Sequence, residues 1–162
     1  MLSVFFDPEK AQDSTWKHHI LSCIRNISID GNMGVFASNF LVSPAFKVRE
    51  GDSTSESLNQ EEGVPQGGVM STTLFIISIN GIISAIPQGV RTSLYIDDLA
   101  VYAGGSNMKE LRSLIQSAVD QVSAWATTNG FRFSTIKTCA MTFSRSRNIP
   151  QPPLKLYDRD IP

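Results

Sequence analysis

Between Ser93 and Tyr102 two apolar, β-rich runs meet at a pair of adjacent carboxylates, Asp97 and Asp98. The Leu, Tyr, Ile and Val content of 93–96 and 99–102 is that of buried strands. Two polar residues between such runs predict a two-residue hairpin turn at Asp97-Asp98. The favoured turns require positive φ, which Asn-Gly or Asp-Gly adopts more readily than Asp-Asp. Neighbouring anions also repel each other. A turn that keeps both charges is either a solvated acidic turn or a place to hold a divalent cation. The rest of the chain is arranged around this segment.

Residues 2–6 are strand-like and end at Asp7-Pro8, where Pro8 blocks further pairing. Asp13 or Ser14 can cap a helix with Trp16, Ile20, Cys23, Ile24 and Ile27 on one face, stopped at Asp30-Gly31-Asn32. A second helical stretch covers 33–41. Residues 46–50 and 55–62 predict a polar hairpin about Gly51-Asp52. After the loop 63–68, Ser71 can cap a strongly apolar helix over 72–86, broken by Pro87 and Gly89. Leu111, Leu114, Ile115, Ala118, Val119, Val122 and Trp125 line one face of a further helix, a stripe suited to packing on a sheet. It ends at Asn129-Gly130. Strands are expected at 131–133, 139–143 and 154–156, with a basic stretch, 144–147, and a proline-rich one, 149–153, between the last two. The order predicts an α+β domain with helices on one face of an antiparallel sheet.

Composition narrows the function classes. With 162 residues the chain can bury a core of one domain, and 41% hydrophobic against 18% charged residues is an ordinary globular balance. A net charge of −1 gives no overall basic footprint for nucleic acid, so any such contact needs a local patch or surfaces elsewhere. Cys23 and Cys139 sit in apolar patterns without metal-ligand neighbours and read as reduced core residues, consistent with an intracellular setting, nuclear or cytoplasmic. No run is long enough for a membrane span, and no signal peptide is evident, so no membrane partner is expected.

Three carboxylates, Asp7, Asp97 and Asp98, stand at ends of expected strands. If those strands are neighbours, the anions converge on one sheet edge, which is costly unless cations occupy it. Oxygen-only ligands select hard ions, with Mg²⁺ favoured when phosphate completes the shell. Two such ions form the clamp used for in-line displacement at phosphorus.

Four motifs occur in order: FFDPEKAQD at 5–13, GVPQGGVMSTTLF at 63–75, YIDD at 95–98 and GFRFSTIKT at 130–138. Together they resemble the successive palm motifs of reverse transcriptases, closest to the non-LTR (LINE-type) retrotransposon class. The resemblance implies a polymerase palm with a ferredoxin/RRM-like core. It also implies an RNA-directed DNA polymerase that adds deoxynucleoside triphosphates to a DNA primer on an RNA template. Asp7, Asp97 and Asp98 would be the catalytic carboxylates and metal ligands, with two Mg²⁺ ions (or Mn²⁺) on Asp7 and Asp97, Asp98 in support and the Pro8 carbonyl as a further oxygen. Lys137 would serve the triphosphate, as a cation or proton donor, against the plain alternative of a solvated lysine. Pro65, Gln66 and Gly67 would floor the site of the incoming nucleotide; alone, the same loop could simply lead into the Ser71 cap.

The chain departs from the family pattern at Gln12, where an aromatic residue usually excludes a ribose 2′-hydroxyl, and at Thr72, where Pro is common. On this reading residues 1–162 are a partial reverse transcriptase domain. Fingers, thumb and endonuclease regions would belong to the parent polyprotein and carry much of the basic surface. The alternative is a catalytically silent remnant that at most binds nucleic acid or a partner.

Overall fold

The first strand, β1 (Leu2–Phe6), stops short of Pro8, whose ring removes the backbone donor that a longer ladder would need. A single helical turn, α1 (Ala11–Ser14), and two helices, α2 (Lys17–Asn26) and α3 (Gly31–Val42), follow. Next come four two-residue strands, β2 (Ala45–Phe46), β3 (Arg49–Glu50), β4 (Ser53–Thr54) and β5 (Leu58–Asn59), and the helix α4 (Ser71–Ile79), which continues as a 3-10 segment over Asn80–Ala85. The hairpin β6 (Arg91–Tyr95) and β7 (Asp98–Ala103) leads to α5 (Met108–Thr128), then β8 (Cys139–Thr142), β9 (Lys155–Leu156) and β10 (Arg159–Asp160). This computed structural model describes residues 1–29, 31–42, 44–145 and 153–162. Asp30 of the expected helix stop, and residues 146–152 of the basic and proline-rich stretches, lie outside them.

Two compact units emerge, one formed by 1–11 and 79–162, the other by 12–78. The first unit holds a four-stranded, wholly antiparallel sheet of order β6-β7-β1-β8. Strand alternation turns Leu2, Val4 and Phe6 to the same side as their partners Ala103, Val101 and Leu99, and all six are buried. α5 covers that side with Leu111, Ile115, Ala118, Val119 and Val122 of the stripe expected from sequence and with Ala126, while Leu114 and Trp125 of that stripe are half-buried. Each fully buried Leu, Ile or Val side chain among them contributes roughly 1.5–3 kcal/mol. The Asn107 side chain caps α5 by accepting from the backbone N–H groups of Lys109 and Glu110, and Gly130 (φ 81°) turns the chain away at its end.

In the second unit, Ile20, Ile24, Ala37, Leu41, Val64 and Leu74 form the core, so α2, α3, the 63–68 loop and α4 share one apolar centre.

Several expectations shift. Asp13 and Ser14 do not cap α2; both lie in α1, and Trp16 precedes α2 without a side-chain cap. Ser71 opens α4, but its hydroxyl donates back to the Pro65 carbonyl. The apolar helix expected over 72–86 tightens at Asn80, where Gly81 lies against the Trp125 indole; an added Cβ would stand 3.3 Å from Cζ2. The stretch 131–133 alternates like a strand, with Phe131 and Phe133 buried, yet has one isolated bridge, Phe133 to Pro8. Proline cannot supply the donor that would extend it. The polar hairpin turns at Gly51-Asp52 as expected, but its two short ladders are out of register by one residue, with Ser55 and Val48 joined at the bulge.

Candidate active site

The backbone of Asp7 is fixed by the 132–138 segment. Ser134 N–H donates to the Asp7 carbonyl (2.7 Å), Asp7 N–H donates to Thr138 Oγ1 (3.3 Å), and Glu9 N–H donates to the Arg132 carbonyl (2.7 Å). Ser134 also shapes the following turn: its hydroxyl accepts from the N–H groups of Ile136 and Lys137, and its carbonyl accepts from Thr138 N–H. That turn brings Lys137 Nζ to 3.4 Å from Asp7 Oδ2, with side chains 70% and 40% exposed. An ion pair this open contributes about 0–1 kcal/mol and exchanges readily.

The carboxylate hairpin differs from expectation by one residue. Its two-residue turn is Ile96-Asp97, while Asp98 opens β7 and pairs with Tyr95. The positive φ therefore falls on Ile96 (57°), a β-branched residue for which this conformation costs on the order of 1–2 kcal/mol. In exchange, Asp98 becomes a strand residue. Continuing the Phe6–Leu99 register by one step sets Asp7 opposite Asp98, so Asp7, Asp97 and Asp98 gather at one end of the sheet. Such strain at a sheet end, next to paired charges, is a common mark of a functional site.

The donors are anionic oxygens, the chemistry that suits Mg²⁺ or Mn²⁺. By type they fit the metal implied by the resemblance. In the arrangement described, Asp7 faces Lys137, and among the described residues no three His, Cys, Asp or Glu side chains form a ready cage.

Sequence reasoning missed a brace behind Asp7. Arg132 Nε lies 3.5 Å from Glu9 Oε2, its guanidinium carbon lies 5.5 Å from the Tyr157 ring centre, and Phe133 N–H donates to the Tyr157 hydroxyl (3.3 Å). The Phe6 and Phe133 rings pack with centres 5.0 Å apart beneath it. Tyr157 and Asp158 form the β9–β10 turn, both at positive φ. Burial pushes the Tyr157 phenol above its ordinary value, helped by the Glu9 charge and opposed by the Phe133 hydrogen bond and Arg132. Because the unfolded tyrosine then ionises first, this residue's contribution is intact below pH ~10 and is lost as pH rises through the higher folded value. Tyr157→Phe is expected to cost about 1 kcal/mol at neutral pH and to remove that alkaline loss, as read from thermal melts across pH 8–11.

In the second unit, Gln12, Asp13 and the 63–68 loop are joined. Val64 N–H donates to the Gln12 carbonyl (2.9 Å), and Gly63 N–H donates to the Thr15 carbonyl (2.9 Å). Gln66 Nε2 donates to Asp13 Oδ1 at 2.6 Å. Gly68 N–H and the Ser71 hydroxyl both donate to the Pro65 carbonyl, which closes the loop. Thus Pro65, Gln66 and Gly67 sit beside Gln12, while Asp7, Pro8, Asp97, Asp98 and Lys137 belong to the first unit.

Cys23 Sγ lies 3.6 Å from His19 Nε2, which is also 3.1 Å from the Ser78 carbonyl. A ring nitrogen against a carbonyl must donate, so it cannot take the thiol proton, and burial pushes that thiol up. The pair is no thiol nucleophile.

Comparison with known proteins bears on this arrangement. Residues 2–155 match the family model "Reverse transcriptase (RNA-dependent DNA polymerase)". The chain is similar to the Pol polyprotein of the type-1 retrotransposable element R1 2 of Nasonia vitripennis, 32% identical over 80 residues, 49% of this chain and 20% of that protein. It is similar to the probable RNA-directed DNA polymerase from transposon BS of Drosophila melanogaster, 26% identical over 129 residues, 76% of this chain and 14% of the relative. The RNA-directed DNA polymerase from mobile element jockey of Drosophila funebris is 24% identical over 150 residues, 89% of this chain and 16% of the relative. These elements are non-LTR retrotransposons, and the chain spans a fifth or less of the length of each of these relatives. Among the described residues no helix is long and apolar enough to cross a membrane. A match that begins in β1 and ends in β9 takes in the sheet, the hairpin and the glycine loop together, and by it the chain belongs to the reverse transcriptase family.

Proposed function

We propose that this chain is the palm core of an RNA-directed DNA polymerase of a non-LTR retrotransposon, adding deoxynucleotides to a primer 3′-hydroxyl on an RNA template. The observation that carries the reading is the gathering of Asp7, Asp97 and Asp98 at one sheet end, with Lys137 on the Asp7 carboxylate. The four-stranded antiparallel sheet, covered on one side by α5, corresponds to the palm with its ferredoxin-like core.

Asp7 and Asp97 would hold two Mg²⁺ ions, with Asp98 and the Pro8 carbonyl as supporting oxygens. Bound there, such ions activate the primer hydroxyl and neutralise charge on the departing pyrophosphate. Lys137, whose ammonium meets Asp7 in an exposed ion pair, would exchange Asp7 for the triphosphate and give pyrophosphate a proton. Pro65 and Gly67 would let the nucleotide approach the backbone, with Gln66 as a hydrogen-bonding group and Gln12 toward the sugar. RNA template, DNA primer and triphosphate would also be gripped by the fingers and thumb of the parent polyprotein, whose endonuclease would act separately. The test is primer extension on RNA by a polymerase containing this chain, with Mg²⁺ and again with Mn²⁺. The isolated chain is expected to extend primers poorly, because positioning supplies most of this chemistry.

Gln12 favours a second reading, a catalytically silent copy that at most binds nucleic acid or a partner. A metal titration of the chain followed by thermal melting separates the two. A preserved site gains about 2.7 kcal/mol at a hundredfold excess of Mg²⁺ over its dissociation constant. Asp7→Asn is expected to abolish that gain; an unchanged melting temperature in the unmutated chain favours the silent copy.

A further inference from the structure

We propose that Tyr157 is a positioning residue for Lys137: from the anchored β9–β10 turn, its hydroxyl holds the 132–138 segment that sets the Lys137 ammonium beside Asp7. The inference rests on the polymerase reading above and adds to it a residue outside the four motifs.

The turn itself draws attention to the side chain. Tyr157 and Asp158 link Leu156 to Arg159 with φ 50° and 64°. Asn-Gly suits such a turn far better, and a tyrosine there carries backbone strain. Strain of this kind persists where the side chain makes contacts that the turn does not need. The hairpin is also firmly mounted. Leu154 and Leu156 are fully buried. The Gln116 side chain of α5 pairs with Lys155 much as a strand would: Oε1 accepts from the Lys155 N–H (2.9 Å) and Nε2 donates to the Lys155 carbonyl (2.8 Å). Arg112 Nε of the same helix donates to the Pro153 carbonyl (2.9 Å).

From this mount Tyr157 reaches the outer edge of the catalytic segment. The Arg132 carbonyl and the Ser134 N–H face Glu9 and Asp7, so backbone alternation turns the Phe133 N–H the other way. The Tyr157 hydroxyl accepts there at 3.3 Å, in place of a neighbouring strand, and the Arg132 guanidinium carbon lies 5.5 Å from its ring centre. The segment is thus held on both edges. Ser134 follows Phe133 directly, and its hydroxyl shapes the turn that carries Lys137. The Lys137 ammonium meets Asp7 in an exposed ion pair, too weak to fix a long side chain by itself, so its place depends on the backbone beneath it.

The test is nucleotide addition on an RNA template by a polymerase containing this chain, under single-turnover conditions that read the chemical step. Tyr157→Phe keeps the ring and removes the acceptor. It is expected to lower the rate roughly fivefold, the worth of one hydrogen bond, with little change in the half-saturating nucleotide concentration. Tyr157→Asn suits the turn but loses both ring and hydroxyl, and is expected to lower the rate roughly tenfold. Lys137→Ala supplies the reference: in that background both substitutions are expected to change the rate less than about twofold, because the group they position is gone. A merely structural role would lower the rate equally with and without Lys137. In the 162-residue chain, Tyr157→Phe is expected to speed hydrogen exchange at the Phe133 amide. Unchanged exchange there overturns the contact. Equal losses in the two backgrounds, or a rate held within about twofold in both Tyr157 variants, overturn the role of Tyr157 and leave the polymerase reading intact. An unchanged rate in Lys137→Ala overturns the role of Lys137, and this inference with it. Failure of the unmutated polymerase to extend any primer overturns the polymerase reading as well.

Discussion

Asp97→Asn in a polymerase containing this chain is expected to reduce primer extension on an RNA template at least a hundredfold and to leave the fold intact. The substitution keeps the shape of the side chain and removes its charge. Asn tolerates turn conformations as well as Asp does, and the residue sits in the two-residue turn, outside the apolar face of the sheet. On the proposed function Asp97 would hold the cation that offsets charge on the reacting phosphates, and a neutral amide would hold it less tightly, a loss of the size seen when one electrostatic stabiliser is removed from an active site. Extension and melting temperature are to be measured on the same preparation. Extension within tenfold of the unmutated enzyme, with an unchanged melt, would exclude Asp97 as a metal ligand.

Gly63→Ala is expected to be the most destabilising single-carbon change in the second unit. Gly63 has φ 77°, and a Cβ there would stand 2.5 Å from the Asp13 carbonyl oxygen and 2.7 Å from that of Gln12. Both are backbone atoms, and the Gln12 carbonyl is further held by the Val64 N–H of the loop, so neither can yield cheaply. Clash and conformational strain together cost roughly 2–4 kcal/mol, a fall in melting temperature of roughly 5–15 °C for a chain of this size. Gly67→Ala is the control. Its φ is the same but nothing lies within 4 Å of the added carbon, so the cost is about 1 kcal/mol of backbone strain. Equal effects from the two would show that close contact at Gly63 is not what fixes the loop.

These residues also show what the sequence made legible. α5 and β1 could be read because their periodicities are matched by burial: the stripe from Leu111 to Val122 and the alternation of Leu2, Val4 and Phe6 each face one apolar partner. The hairpin turn was misplaced by one residue. Turn propensity favours Asp over Ile at positive φ, whereas the sheet carries the strain on Ile96 and keeps Asp98 in the ladder. Asp13 has the composition of a helix cap, and a local rule has no access to Gln66, 53 residues away, which is its partner. The brace of Glu9, Arg132 and Tyr157 was hidden for the same reason: no motif joins three side chains so far apart in the chain. The polar hairpin β2–β5 is exposed along its length, so no buried face fixes its register, and its one-residue bulge could not be read.

The central place of β1 has a kinetic consequence. Its two neighbours, β7 and β8, lie far along the chain, and the Asp7 N–H bond to Thr138 spans 131 residues. Closing loops of that length precedes any reward from pairing, which makes such a sheet slow to assemble and leaves Leu2, Val4 and Phe6 open to wrong partners meanwhile. No local fragment of the chain can preform the acidic end of the sheet. On the proposed function, metal binding at Asp7 would therefore report on the collapse of the whole sheet, and its appearance during refolding would time the slowest pairing event.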